Sequence, residues 1–196
     1  MKHLLSLGLL VLLTAFAPVA ELPIGSALPT PDVPLKSISG NAITLQSAVK
    51  EGGLLVMFSC NTCPYVLKNT GRTAAITQFA ADNKIGVVLV NSNSGQRTAE
   101  DSFEAMQAFA KKLKYNFDYV VDDGAVADAF NAKKTPECFL FDQDKKLVYH
   151  GAIDDSPADE TKVAREHLKL AIEEMRAGRA VSVTTSRSVG CSIKRG

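Results

Sequence analysis

The stretch from Leu54 to Leu67, LLVMFSCNTCPYVL, is the most informative part of this chain. Its first half, Leu54 to Phe58, is an uninterrupted apolar run after two glycines, which is typical of a strand buried on both faces of a sheet. Pro64 has no backbone N–H and is tolerated in the first turn of a helix, so we predict that a helix begins between Cys60 and Cys63. The stretch therefore predicts a buried strand followed by two thiols at the N-terminus of a helix.

The spacing Cys60-Asn-Thr-Cys63 favours redox chemistry. Unpaired backbone N–H groups and the helix dipole stabilise a thiolate at a helix N-terminus. We assign Cys60 as the attacking nucleophile and Cys63, one turn further on, as the resolving thiol. A zinc site would need a second ligand pair, but Cys138 and Cys191 stand alone, and a purely structural disulfide across so short a loop would stabilise little. We therefore predict a dithiol/disulfide couple with no metal and no other cofactor.

The first 20 residues have the pattern of a secretory signal peptide. Lys2 gives a short basic region, residues 4–20 carry no charge, and small residues precede a cleavage site after Ala17 or Ala20. The alternative is an uncleaved anchor, because the apolar stretch is close to spanning length. No later run is long enough to span a membrane. We expect export to the periplasm or the extracellular space, where disulfides persist.

Length and charge limit the remaining possibilities. The chain has 22 Lys and Arg against 21 Asp and Glu, and loss of Lys2 with the leader makes the two counts equal. This balance argues against nucleic acid or an anionic membrane as a partner. Residues 21–196 are enough for one domain with one well-filled core, and residues 180–196 form a polar C-terminal tail.

The other elements predict an alternation of strands and helices. Asp101 and Glu104 are expected to start an amphipathic helix as a capping pair. Ser156 and Pro157 are expected to cap the last helix, which should bury Val163, His167, Leu170, Ala171 and Met175 and end at Gly178. The remaining predicted elements are a hairpin over 35–38 and 42–45, a helix from the thiols to about 82, a strand over 85–90, a polar loop over 91–98, a strand over 117–121, a short helix over 124–131, and a hairpin whose strands follow Pro136 and cover 147–150.

This order of elements resembles the thioredoxin-like superfamily, and specifically its redoxin branch of the AhpC/TSA type. The resemblance runs from about residue 23 to residue 194, and its segments are Cys60 to Val66, Val90 to Asn93, Glu100 to Met106, Thr135 to Glu137, Gly151 with Asp154 and Asp155, and Gly190 to Lys194. It implies an α/β domain of thioredoxin-like fold, in which helices flank both faces of a central mixed β-sheet. The predicted hairpin over 35–45 would be an N-terminal extension of that domain.

The resemblance also implies roles for residues outside the thiol pair. Pro136 is expected to be cis and to pack against the thiols, and the backbone of Thr135 is expected to bind a disulfide substrate as a short edge. Cys191 lies within the resemblance, so it is either an accessory thiol that docks on Cys60 or Cys63, or a free or core-packed cysteine. Cys138 belongs to a buried strand, which favours an inert core cysteine over a redox partner.

We interpret the chain as an exported thiol-disulfide oxidoreductase that uses Cys60 and Cys63. Its expected partners are protein disulfides or peroxide as oxidant, and an exported or membrane-bound electron donor. The first alternative is a peroxiredoxin-like peroxidase, although the Pro-x-x-x-Thr-x-x-Cys pattern of true peroxiredoxins does not precede either thiol. The second is a non-enzymatic metal carrier with two soft thiolate ligands, for which Met57 is the nearest further soft ligand in the sequence.

Overall fold

The computed structural model describes residues 21–196, and the predicted signal peptide over residues 1–20 lies outside them. The strands of this part are β1 Leu35–Ser37, β2 Ala42–Ile43, β3 Leu54–Phe58, β4 Gly86–Asn91, β5 Asp118–Val121, β6 Lys134–Thr135, β7 Glu137–Phe141, β8 Leu147–Gly151 and β9 Cys191–Ser192. The helices are α1 Leu45–Ala48, α2 Pro64–Lys68, α3 Thr70–Asp82, α4 Phe103–Leu113, α5 Ala125–Phe130 and α6 His167–Arg176, with short 3₁₀ helices at Ser94–Gln96 and Glu160–Lys162.

Seven strands form a mixed sheet in the order β2-β1-β5-β4-β3-β7-β8. The three strands β5, β4 and β3 are parallel at its centre, and the flanking pairs are antiparallel. The predicted N-terminal hairpin is confirmed as β1 and β2, shorter than expected, and β1 also pairs with β5. The hairpin therefore extends the central sheet.

The predicted double burial of β3 is confirmed, since all five of its residues are buried. Val56 and Phe58 contribute to a core cluster that contains residues of α1 and α5. Leu55 and Met57 contribute to a second cluster, on which α3, α4 and α6 pack. Because successive side chains of a strand point to opposite faces, these two clusters place helices on both sides of the sheet.

The helix expected to run from the thiols to about residue 82 is divided into α2 and α3 at Asn69. The backbone there leaves helical geometry, with φ −99° and ψ 5°. The Asn69 side-chain amide donates to the carbonyl oxygens of Tyr65 and Pro157 at 2.6 and 2.9 Å. An asparagine that hydrogen-bonds nearby backbone competes with the regular helix, which explains the break.

The start predicted for the last helix is wrong. Ser156 and Asp159 instead make local hydrogen bonds, and Asp159 caps the short 3₁₀ helix at Glu160–Lys162. The α-helix begins only at His167, and it buries Leu168, Ala171 and Ile172, so Ala171 alone of the predicted stripe is fully buried. The helix ends at Arg176, close to the predicted stop at Gly178, which has a φ of +68°.

The C-terminal tail packs along the domain. The backbone N–H of His150 in β8 donates to the carbonyl of Thr184, and β9 pairs with β6 in a separate two-stranded sheet. Ile193 reaches the first core cluster and is 9% exposed. Within residues 21–196, no helix has the length and apolar character needed to cross a membrane.

Candidate active site

The two predicted thiols lie between the carboxyl end of β3 and the start of α2. Cys63 is the N-cap residue of α2 and Pro64 is its first residue, as expected from the missing N–H of proline. The side chains of Cys60 and Cys63 are almost fully enclosed, at 2% and 3% exposure. The predicted placement of the pair at a helix N-terminus is confirmed.

The Thr135–Pro136 peptide bond is cis and lies against the thiols, as the resemblance implies. The sulfur of Cys60 is 3.3 Å from the Thr135 hydroxyl. The thiol of Cys63 donates to the Thr135 carbonyl oxygen at 3.1 Å. The fold therefore brings Thr135 into one site with Cys60 and Cys63, which lie 75 and 72 positions away from it in the sequence.

Cys191 is a third thiol in this site. Its sulfur lies 2.6 Å from that of Cys63, and all four cysteines are free thiols. Strand β9 pairs with β6 in antiparallel register, with Cys191 opposite Thr135 and Ser192 opposite Lys134. Of the positions that the sequence left open for Cys191, contact with Cys63 is the one observed. The Thr135 edge, which was expected to bind a substrate, is covered by the C-terminal tail of the same chain.

Cys138 has the environment of an inert core cysteine. It is fully buried in β7, opposite Met57 of β3, in the second core cluster. Burial in this apolar setting raises the pKa of its thiol, so it stays protonated. Cys60, Cys63 and Cys191 belong to a separate small cluster.

The hydrogen bonds of the site favour the thiolate on Cys63. The hydrogen bond from Cys60 lowers the pKa of Cys63, helped by the Cys191 thiol and by the backbone N–H groups of Val66 and Cys191. The same bond to Cys63, together with burial, raises the pKa of Cys60, and burial followed by the contact with Cys63 raises that of Cys191. The Thr135 carbonyl opposes this order, since it accepts only from the thiol form. The direction of these shifts gives Cys63 the lower pKa, whereas the sequence assigned the attacking thiolate to Cys60.

Asp101 belongs to the site, whereas its spacing from Glu104 predicted a helix-capping role. Its side chain is completely buried and does not cap α4, because the N-cap is Ser102, whose hydroxyl accepts from the N–H of Ala105. One Asp101 oxygen instead accepts from the backbone N–H of Asn61, between the two thiols, at 2.8 Å. The same oxygen accepts from the Asn91 side chain at 2.8 Å. Asp101 therefore fixes the backbone of the Cys60–Cys63 loop.

The Asp101 network also reaches the C-terminal tail. Its second oxygen accepts from the Asn93 amide at 2.8 Å, and the Asn93 carbonyl oxygen accepts from the backbone N–H of Lys194 at 2.9 Å. Tyr119 donates to the Asn61 side chain at 3.0 Å. One feature of the sequence points to this network, namely the polar run that starts at Asn91 directly after a buried strand. A polar run in that position lies at the carboxyl edge of the parallel strands, where the thiols also lie.

The described residues provide little for a metal ion beyond the thiols themselves. Within residues 21–196, no group of three or more His, Cys, Asp or Glu side chains could hold one. Met57, considered as a further soft ligand, packs in the second core cluster with Cys138, whereas Cys60 and Cys63 form a cluster with Val66.

The structure combines a mixed sheet with helices on both faces, a thiol pair at the end of a central strand and a cis-proline beside that pair. This combination defines a thiol redox protein of thioredoxin-like fold. The AhpC/TSA family model matches residues 25–150. The chain belongs to this family, which supports a thiol-based oxidoreductase.

Two solved structures are similar over nearly the whole chain. An uncharacterized conserved protein from Geobacillus kaustophilus is 33% identical, with a TM-score of 0.81, and the match covers 89% of this chain and 93% of that one. A hypothetical protein from Sinorhizobium meliloti 1021 is 32% identical with a TM-score of 0.81, over 90% and 97% of the two chains. A putative protein disulfide isomerase from Bacteroides thetaiotaomicron, 20% identical with a TM-score of 0.59 over 80% and 91%, shows the shared fold. The comparison with curated proteins gives no match.

Proposed function

We propose that this protein is a thiol-disulfide oxidoreductase in which Cys60 and Cys63 form the dithiol/disulfide couple. The observation that carries the proposal is the placement of both sulfurs at the N-terminus of α2 and against Thr135, beside the cis-proline. A thiolate is the attacking species in disulfide exchange, and this position supplies N–H donors that stabilise one. A neighbouring thiol is then at hand to resolve the mixed disulfide.

The directions of the two pKa shifts support an order of attack. Contacts with Cys60, with Cys191 and with two backbone N–H groups lower the pKa of Cys63, whereas the contact with Cys63 and burial raise the pKa of Cys60. We therefore propose that the Cys63 thiolate attacks a substrate disulfide and that Cys60 resolves the product. In the first step, one sulfur of the substrate disulfide bonds to Cys63 and the other substrate sulfur leaves as a thiolate. In the second step, Cys60 bonds to Cys63, and the substrate sulfur that was bound to Cys63 leaves as a thiolate.

Replacement of single thiols tests this function. Turnover of a protein disulfide such as insulin, with dithiothreitol as reductant, should fall at least 100-fold in Cys63→Ser, because the attacking sulfur is lost. Cys138→Ser removes a buried thiol outside the site and should retain wild-type turnover once folding is verified by circular dichroism. Full turnover in Cys63→Ser would overturn the proposal.

A peroxidase is the second candidate. Membership of the AhpC/TSA family supports it, and so does the coverage of the Thr135 edge by the tail, because peroxide needs no strand edge to bind. The reaction would oxidise the Cys63 thiolate to a sulfenic acid, with water released, and a neighbouring thiol would then form a disulfide and release a second water. Trapping with dimedone during exposure to peroxide would detect the sulfenic acid.

We also propose export, on the pattern of residues 1–20. The mature chain would then act in the periplasm or outside the cell, and an exported or membrane-bound donor would re-reduce it. N-terminal sequencing of the protein recovered from a periplasmic fraction should read from Pro18 or Glu21. An intact Met1 on protein in the soluble cytoplasmic fraction would contradict export.

A further inference from the structure

The C-terminal strand occupies the place of a substrate. Strand β9 pairs with Thr135 at the edge beside the cis-proline, which is where an extended polypeptide would pair with the protein. Its only cysteine, Cys191, points its sulfur at Cys63, at 2.6 Å. A disulfide bond is about 2.05 Å long, so a small movement would join the two sulfurs.

Several contacts hold this strand in register on both sides of Cys191. A Cβ at Gly190 would overlap the carbonyl oxygen of Thr135, so this close approach needs glycine. After the cysteine, the N–H of Ile193 donates to the Lys133 carbonyl at 3.0 Å, and the apolar side chain enters the core. Arg195 then forms an ion pair with Asp128 at 2.8 Å. Cys191 is therefore a fixed member of the site.

We propose that Cys191 is a third redox thiol, which exchanges with the Cys60–Cys63 disulfide to form a Cys63–Cys191 disulfide that closes the Thr135 edge. In this step the Cys191 thiolate attacks the sulfur of Cys63. The Cys60–Cys63 bond breaks, the Cys63–Cys191 bond forms, and Cys60 leaves as a thiolate that takes a proton from water. The oxidation level is unchanged, so the exchange needs no further oxidant.

This inference rests on the proposed function and deepens it. In the Cys63–Cys191 form the tail is held covalently on the edge, and a protein substrate could not pair there. In the reduced form the tail is held by hydrogen bonds, the buried Ile193 and the ion pair of Arg195, and an extended segment of a substrate can displace it. The tail thus acts as an internal substrate that competes with external ones.

The experiment is to map disulfides after oxidation with one equivalent of diamide, alkylation at acid pH and tryptic digestion without reductant. Cys60 and Cys63 lie in one tryptic peptide, residues 51–68, and Cys191 lies in another, residues 188–194. Wild-type protein should give both the internal disulfide of peptide 51–68 and its cross-link to peptide 188–194. Cys60→Ser should give the cross-link alone, and Cys191→Ser the internal disulfide alone.

Two glycine variants provide a matched pair. Gly190→Ala should lower the yield of the cross-link at least fivefold, because the new Cβ pushes the strand away from Thr135. Gly71→Ala, in α3, meets no atom within 4 Å and should leave the yield unchanged.

Free thiols at both Cys63 and Cys191 in oxidised Cys60→Ser would overturn the inference, and so would a cross-link that persists in Cys63→Ser. If wild-type protein formed the internal disulfide but no cross-link, only this inference would fail, whereas absence of both disulfides and of turnover would overturn the proposed function.

Discussion

At the scale of single residues, the chemistry depends on which sulfur carries the negative charge. Contacts with two other thiols and with backbone N–H groups lower the pKa of Cys63. The sequence predicted a thiolate at this helix N-terminus but assigned it to Cys60. The order that we propose instead depends in part on Cys191, which is 128 positions from Cys63 in the sequence, so no local pattern could have shown this contact.

The lowered pKa gives a pH prediction. An ordinary thiol, with a pKa near 8.5, gains reactivity about tenfold per unit as pH rises from 6 to 8. Cys63 is already ionised over that range, so its alkylation by iodoacetamide should be nearly constant and should fall only in more acid solution. Cys60 and Cys191, with raised pKa values, should react slowly throughout. Mass spectrometry of fragmented peptides reads each site, and a tenfold rise per unit at Cys63 would contradict the assignment.

A second prediction concerns Asp101. Asp101→Asn keeps the shape of the side chain but turns an acceptor into a donor that faces other donors, which should cost about 2 kcal/mol in the free energy of unfolding. The loop at Asn61 should loosen, and the rate of disulfide turnover should fall. Urea unfolding and insulin reduction measure the two effects. Asp123→Asn, at an exposed position, is the control, and equal behaviour of the two variants would contradict this role.

At the scale of elements, the strands and the helix behind the thiols could be predicted because each has a strong local signal. The apolar run of β3 and the position of Pro64 fix the thiols at the start of α2. The break at Asn69 and the late start of α6 could not be predicted in this way. Both depend on side chains that bond backbone groups in a particular tertiary setting, as Asn69 does with Pro157, 88 positions away.

The docking of β9 is testable as an element. Ile193→Ala removes the buried apolar side chain that anchors the tail. We expect the free energy of unfolding to fall by about 2 kcal/mol, which is at the low end for an isoleucine-to-alanine change because Ile193 is near the end of the chain. Alkylation of Cys63 should become faster at the same pH, since the covering strand detaches more often. Ile24→Ala, at a side chain that is 40% exposed, is the matched control. Equal alkylation rates at Cys63 in both variants would contradict a covering role for the tail.

At the scale of the whole molecule, one domain brings three distant segments to one edge of its sheet. The thiol pair follows β3, the Thr135–Pro136 turn precedes β7 and contacts the thiols, and the tail pairs with β6 and reaches Cys63 through Cys191. The fold and the first two segments could be predicted from motifs in chain order. The tail could be named as an accessory element but could not be placed, because a polar segment without periodicity carries no signal for its partner.

A competition between oxidants tests most directly whether the site exchanges disulfides. Reduced mature protein is given equal concentrations of hydrogen peroxide and a protein disulfide, quenched with an alkylating agent at successive times, and analysed by mass for the Cys60 and Cys63 thiols and for dimedone adducts. We predict that the disulfide oxidises the pair faster and that no sulfenic acid is trapped. Faster oxidation by peroxide, through a sulfenic acid on Cys63, would contradict disulfide exchange as the function and identify a peroxidase.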